Sequence, residues 1–286
     1  MSRPEHRAPP EIVYNEDEAK KYASNSRMIE IQTQMSERAL ELLAIPPGES
    51  QYILDVGCGS GLSGAVLSEA GHVWVGLDIS SAMIDVARER GTEGDMYLSD
   101  MGQGLPFRPG TFDAAISVSA LQWLCNQDKT SHNPRKRMRV FFQSLYHCLK
   151  RGARAVFQLY PETPAQMELI TNAAMRCGFM GGLVVDYPNS TKAKKMFLCL
   201  FAGVPPGGYE LPKALGTEES GEPSTVTYER GEARQRARDA RKGKKSKRAP
   251  VKSKDWILQK KERQRKQGKD VRAESKYTAR KRRAAF

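Results

Sequence analysis

No apolar run in the 286-residue chain approaches the ~20 residues that a membrane-spanning helix needs. The N-terminus is rich in proline and charge and lacks the apolar stretch of a secretory signal, so a soluble protein without a membrane partner is expected. Cysteine is sparse: Cys58, Cys125, Cys148, Cys177 and Cys199 form no C-x-x-C pair and mostly sit in apolar or helical surroundings. That pattern predicts reduced core thiols of an intracellular protein and excludes a disulfide frame or a zinc site, and no metal site is expected. No internal repeat is apparent.

Charge is divided unevenly along the chain. From residue 230 onward, 24 Lys and Arg face 6 Asp and Glu, a net of +18, whereas residues 1–229 carry −5. A mildly acidic folded part therefore precedes a strongly basic tail, in which Arg241, Lys242, Lys244, Lys245, Lys247 and Arg248 form an octamer of the nuclear-import or nucleic-acid type. Charge runs are often merely solvated, but an excess of this size points to a polyanionic partner. Asp255-Trp256-Ile257-Leu258 interrupts the charge with one apolar cluster, a docking point that orders on binding.

What is present begins with ILDVGCGSGLSG, residues 53–64. Tyr52 to Val56 reads as a short buried strand, the glycine cluster as a tight loop, and the residues from Leu62 as a helix. Gly57, Gly59 and Gly61 would let the loop take positive φ and bring ligand against backbone N–H groups at a helix N-terminus, where negative charge is favoured. Gly59 to Gly64 also fits G-x-G-x-x-G, the dinucleotide fingerprint, which is weak alone. Asp55 helps to break the tie. A carboxylate two residues before the first glycine would repel a pyrophosphate, whereas S-adenosylmethionine offers an ammonium and a sulfonium and has no phosphate.

Trp74 to Leu77 reads as the next strand, with Asp78 at its end, about 20 residues beyond the glycine loop, where such folds set a carboxylate against the ribose hydroxyls. Asp100, after the strand Met96-Tyr97-Leu98, is expected to meet the adenine amine, with Met101 covering the ring. One acid at a strand end is more often a loop cap; three in one βαβ series favour a ligand. The cofactor contacts are thus expected from Asp55, Gly57, Cys58, Gly59, Gly61, Asp78, Ile79, Asp100, Met101 and Ser117.

Residues 28–43 carry Met28, Ile31, Met35, Ala39 and Leu42 at the spacing of one helical face, and Pro46-Pro47-Gly48 ends that helix. Helices ahead of the first strand make a natural lid, so Tyr22 and Arg27 are either cofactor contacts or an ordinary packing aromatic and a solvated arginine. Phe112 to Ser119 reads as strand four, 135–148 as a helix, Ala153 to Tyr160 as strand five and Ala165 to Cys177 as a helix. Gly182 to Tyr187 and Met196 to Phe201 form a closing pair of strands. The expected fold is α/β, a Rossmann-like seven-stranded doubly wound sheet with a terminal antiparallel hairpin. Domain boundaries are expected at 1–50 for helices covering the cofactor cleft, 51–204 for the sheet domain, 205–229 for a linker and 230–286 for the basic tail.

Methyl transfer from a sulfonium is an in-line displacement, so positioning and water exclusion dominate. Ser119 to Leu124 lies where this fold faces its substrate. The chain lacks the Asn/Asp-Pro-Pro-aromatic sequence used on exocyclic amines and a Pro-Cys nucleophile for pyrimidine carbon five. An aromatic, an amide and hydroxyls remain, without an evident base. A ring nitrogen with a free lone pair, such as guanine N7, has no proton to remove and suits that set. Ser119, Gln122 and Trp123 are the substrate-positioning candidates, with no certain catalytic residue: Gln122 to meet a base edge, Trp123 either to stack on an extruded base or to pack beneath the cleft. Arg135, Lys136, Arg137 and Arg139 could hold phosphates, and His132 reads as a surface residue.

Asn25-Ser26-Arg27-Met28 with Ile31-Gln32, ILDVGCGSGLSG, SALQWL and SKDWILQKKERQR together resemble the eukaryotic small-subunit (18S) rRNA guanine-N7 methyltransferase family, across essentially the whole chain. The glycine motif alone indicates only a class I methyltransferase; the hexapeptide and the tail carry the narrower match. The resemblance implies methylation of a small-subunit rRNA guanine and a role in pre-40S maturation, in nucleus and nucleolus with the cytoplasm as a second location. It also implies a heterodimer with a small zinc-binding activator subunit shared by several methyltransferases. Strand three, around Tyr97-Leu98, is expected at the sheet edge, where such a partner could add a strand. Two other readings stay open: an assembly factor whose role is independent of catalysis, and a methyltransferase acting on a protein or small molecule.

Overall fold

The computed structural model describes residues 3–190, 192–204, 208, 210–216, 257, 258, 260–262 and 265. The chain divides into two compact units, Met1–Tyr228 and Glu229–Phe286. In the second, the described residues from Ile257 to Arg265 are helical. The import-type octamer at 241–248 and Asp255-Trp256 lie outside the described residues, as does most of the expected linker.

The first unit is built on seven strands: β1 (Tyr52–Val56), β2 (Val73–Asp78), β3 (Asp95–Leu98), β4 (Phe112–Val118), β5 (Leu149–Leu159), β6 (Phe179–Asp186) and β7 (Lys195–Ala202). They lie in the order β3-β2-β1-β4-β5-β7-β6. The first five run parallel, and β7 inserts antiparallel between β5 and β6. The expected doubly wound sheet with its closing hairpin is what forms. The order reverses between β1 and β4, which opens a crevice at their carboxyl ends.

Among the described residues of this unit the α-helices are α1 (Pro10–Val13), α2 (Glu16–Ser24), α3 (Ser26–Leu43), α4 (Leu62–Glu69), α5 (Ser81–Glu89), α6 (Pro134–Cys148) and α7 (Pro164–Arg176). Local chemistry starts most of them. Asn15, Asn25, Ser80, Asn133 and Thr163 each accept a backbone N–H from the first turn of the helix that follows, the capping that short polar side chains provide. Neighbouring residues of β1 face opposite sides of the sheet. Leu54 packs with Phe141, Phe142 and Leu145 of α6, whereas Ile53 packs with Met35, Ala39 and Leu42 of α3.

Two glycines exist for packing. A Cβ on Gly64 or Gly94 would lie 2.1 or 2.2 Å from the Trp74 indole, which fills the space both leave and donates to Ser68 Oγ at 2.9 Å. The last glycine of the fingerprint therefore serves helix-to-sheet contact, not ligand binding.

The structure moves several expected boundaries. β5 starts at Leu149, directly after α6, because a positive φ at Gly152 lets the chain turn within the strand. β6 starts three residues before the expected Gly182. The expected linker is not wholly detached either: Leu211 and Ala214 pack on the α3 side of the core, and Tyr187 and Leu215 join by a backbone hydrogen bond of 2.8 Å. Arg38 holds this return segment, donating to Asp186 at 2.9 and 3.2 Å and to the Lys213 carbonyl at 2.9 Å.

Candidate active site

A cavity of about 310 Å³ lies at the carboxyl ends of β1, β2 and β4, roofed by the N-terminal helices. Gly57, Cys58, Gly59, Asp78, Ile79, Asp100, Met101 and Tyr22 of the expected cofactor set line it, as do Ser119 and Trp123 of the substrate set. Asp55, Gly61, Ser117, Arg27 and Gln122 do not. Asp55 and Ser117 are fully buried inside their strands, Gly61 caps α4 with φ at +77°, and Arg27 is exposed on α3.

The glycine loop differs from an anion cradle. Gly57 and Cys58 donate their N–H groups to the Leu77 carbonyl, Gly59 donates to Asp78 Oδ2 and Gly61 to the Cys58 carbonyl. Four amides expected to face a ligand are thus satisfied by the protein and turned away from it. The glycines are required by backbone shape and close approach: at φ +75°, a Cβ on Gly57 would lie 2.3 Å from that of Ala120.

Acids dominate the loop end. Asp78 accepts Gly59 and Ser80 N–H groups at 2.9 and 2.8 Å, which steady the carboxylate and partly offset burial, yet burial wins and its pKa is raised. Asp55 is pushed up to about 7, by burial first and by the Asp78 charge in addition, against a hydrogen bond from the Ser63 hydroxyl that lowers it. Asp55 Oδ1 is buried and has no partner among the described residues. An unpartnered buried carboxylate oxygen beside a second acid fits a cationic ligand and opposes an anionic one. This is the residue set that would hold S-adenosylmethionine.

The third acid has acquired a partner that sequence reading placed elsewhere. Asp100 Oδ1 accepts the Gly102 N–H at 2.8 Å and Arg137 Nη2 at 2.7 Å, while Oδ2 has only a long contact of 3.4 Å to Gln103. Arg137, expected on phosphates, is turned into the cavity wall; Arg135, Lys136 and Arg139 remain exposed on α6. His132 corrects the surface expectation: it is half-buried, lines the cavity and contacts Arg137 at 2.6 Å. Nothing in spacing alone signals such a pair, since it joins α6 to the turn after β3.

On the opposite wall, Ser119 follows β4 at φ +60°, an uncommon conformation outside glycine that aims its hydroxyl at Gln158 Oε1, 2.7 Å away. Trp123 is 6% exposed, meets Tyr14 edge-on and borders the cavity. Gln122 is turned inward, its amide donating to the Ser119 carbonyl at 2.7 Å and toward Glu5 at 3.4 Å, and does not line the cavity. Tyr14 and Tyr160, absent from the sequence reading, complete this wall. Burial raises both phenols, Tyr160 to about 12 and Tyr14 further, so both stay protonated and offer an O–H as hydrogen-bond donor.

The N-terminal segment is strapped over the site. Arg3 donates to the Tyr160 carbonyl at 2.9 Å, Ser80 Oγ donates to the Tyr14 carbonyl at 2.7 Å, and Lys129 pairs with Glu11 at 3.2 Å.

This strand order, with acids at the ends of its first three strands and a glycine loop whose amides turn inward, defines a class I S-adenosylmethionine-dependent methyltransferase. A putative methyltransferase of that cofactor from Methanococcus maripaludis shares the fold, with a TM-score of 0.50 and 12% identity over 65% of this chain and 93% of its own. A family model described as "Methyltransferase domain" matches residues 54–157, and one described as "Methyltransferase involved in Williams-Beuren syndrome" matches residues 200–284. The 18S rRNA (guanine-N(7))-methyltransferase of Mus musculus is 56% identical over 99% of this chain and 98% of its own. The 18S rRNA (guanine(1575)-N(7))-methyltransferase of Saccharomyces cerevisiae is 47% identical over the full length of both. The chain belongs to the 18S rRNA (guanine-N(7))-methyltransferase family.

Proposed function

We infer that this chain transfers the methyl group of S-adenosylmethionine to N7 of a guanine in 18S rRNA during small-subunit ribosome biogenesis. The observation that carries the reading is the wall at the ends of β4 and β5. Ser119, Ala120, Trp123, Tyr14 and Tyr160 line it, and the ionisable groups among these five are phenols held protonated, while Glu11, Asp128 and His132 line other parts of the cavity. An amine nucleophile would need a base there; N7 of guanine has a lone pair and no proton, and needs none.

The bound cofactor supplies a methyl group on a sulfonium. Positive charge then passes from sulfur to the purine without a new charge being created, so a neutral aromatic wall does not oppose the step and ring faces favour a nearby cation. Asp78 would hold the hydroxyl groups of the cofactor and Asp100 and Met101 its adenine, while Asp55, fully buried and off the cavity wall, would act on the cationic end through its charge. Trp123 and Tyr14 exclude water and border the base, and Tyr160 and Ser119 offer hydroxyls at its edge. The exposed Arg135, Lys136 and Arg139 hold phosphates beside the mouth.

Two partners follow. Strand β3 is a sheet edge, and Tyr97 and Leu98 on it are 50% and 63% exposed, with Val73 on β2 60% exposed. An open edge beside exposed apolar residues suits strand addition by the small zinc-binding activator subunit. The basic tail, including Arg241 to Arg248, supports nuclear and nucleolar delivery and engagement of pre-ribosomal RNA.

The test is methyl transfer by the chain co-expressed with the activator, using labelled S-adenosylmethionine and precursor small-subunit particles, with strand cleavage at N7-methylguanine as readout. One cleavage site that vanishes in Asp55→Ala is expected. Cofactor binding without rRNA methylation would overturn the substrate reading.

A further inference from the structure

The Arg137–Asp100 pair has a geometry that a surface ion pair does not need. The two side chains are 13% and 12% exposed, and the guanidinium lies across Gly102, where an added Cβ would be 2.4 Å from Nε and Nη2. Arg137 Nε is buried with no partner among the described residues. Taking both charges out of water is costly, and such a pair contributes little net stability compared with apolar packing. Its use therefore lies in what it orients.

Two donors converge on one oxygen of Asp100, the Gly102 N–H and Arg137 Nη2, and they fix the plane of the carboxylate. Oδ2 is left with the long Gln103 contact and with capacity to accept from the cavity that Asp100 borders. A carboxylate held this way presents only acceptors. It selects a ring bearing an exocyclic amine, as adenine does, over one bearing a carbonyl at that position, as hypoxanthine does.

We propose that Arg137 is a positioning residue for the cofactor base: by clamping Asp100 Oδ1 across Gly102, it turns Oδ2 toward the adenine amine and sets the selectivity for adenine. The proposal rests on the assignment of Asp100 to adenine. Gly102 is part of the device, because only a residue without a side chain leaves room for the guanidinium.

The test measures the affinity of the full chain for S-adenosylhomocysteine and for its hypoxanthine analogue by calorimetry. A hydrogen bond to a charged group corresponds to a preference of about ten- to a hundredfold for the adenine form. Arg137→Gln is expected to reduce that preference by about tenfold, with Arg137→Lys between it and the native chain. Gly102→Ala, which leaves Arg137 in place but takes its space, is expected to act in the same direction. Asp100→Asn should abolish or invert the preference, and Arg137→Gln added to it should change nothing more, since Arg137 acts through Asp100. Arg137→Gln or Gly102→Ala weakening both ligands equally would show a structural role only and overturn the proposal. A native preference that survives Asp100→Asn would instead overturn the assignment of Asp100 beneath it.

Discussion

Asp55→Asn separates the cost of an acid in this site from its use. The folded chain raises the Asp55 carboxyl from 3.8 to about 7 through burial, opposed by Ser63 and reinforced by Asp78. A folded pKa above the unfolded one means that the folded chain holds the proton more tightly. Stability from this group is therefore complete below about pH 4, is lost as pH rises through about 7, and stays lost above it. The rise corresponds to about 4 kcal/mol at most, a ceiling because relaxation and entering water soften the burial penalty. Asparagine has nearly the shape of the protonated acid and does not titrate. Urea unfolding of the cofactor-free chain at a series of pH values should show the variant gaining on the native protein from pH 4 to pH 8, approaching that ceiling. Cofactor binding should show the reverse. A cation stabilises the ionised carboxylate, so native affinity for S-adenosylmethionine should rise with pH to about 7 and level off, while Asp55→Asn binds weakly and without that slope. Parallel stability curves for the two proteins across this range would refute the placement of a strained acid at the cofactor's cationic end.

Gly57→Ala should remove both fold stability and cofactor binding, since positive φ costs roughly 1–2 kcal/mol and the clash with Ala120 roughly 1–3 more, readable as a lowered thermal midpoint. Leu98→Asp, on the exposed edge of β3, should leave cofactor affinity within about twofold of native while abolishing co-purification with the activator. An intact complex would remove that edge from the interface. Deleting residues 230–286 should preserve cofactor binding but weaken association with precursor rRNA and flatten its salt dependence, measured as log affinity against log salt.

Where contacts are local, the sequence determined the outcome. An apolar pentapeptide followed by glycines makes β1 and its loop because burial and positive φ are properties of those residues, and Asp78 ends β2 because the strand before it is uniformly apolar. The alternation of such units was enough for a doubly wound sheet and for a cofactor carrying positive charge. Only the tertiary structure decided where side chains far apart in the chain meet. It turned the amides of Gly57, Cys58 and Gly59 onto Leu77 and Asp78, and drew Gln122 inward onto Ser119 and Glu5. Arg137 was carried from a basic run, where its neighbours stay in solvent, onto an acid 37 residues away, and Tyr14 and Tyr160 were brought from opposite ends of the domain to one wall. Residue type and spacing encode the backbone's path over a few residues, but long-range pairing depends on the closure of the whole sheet, which no local pattern contains.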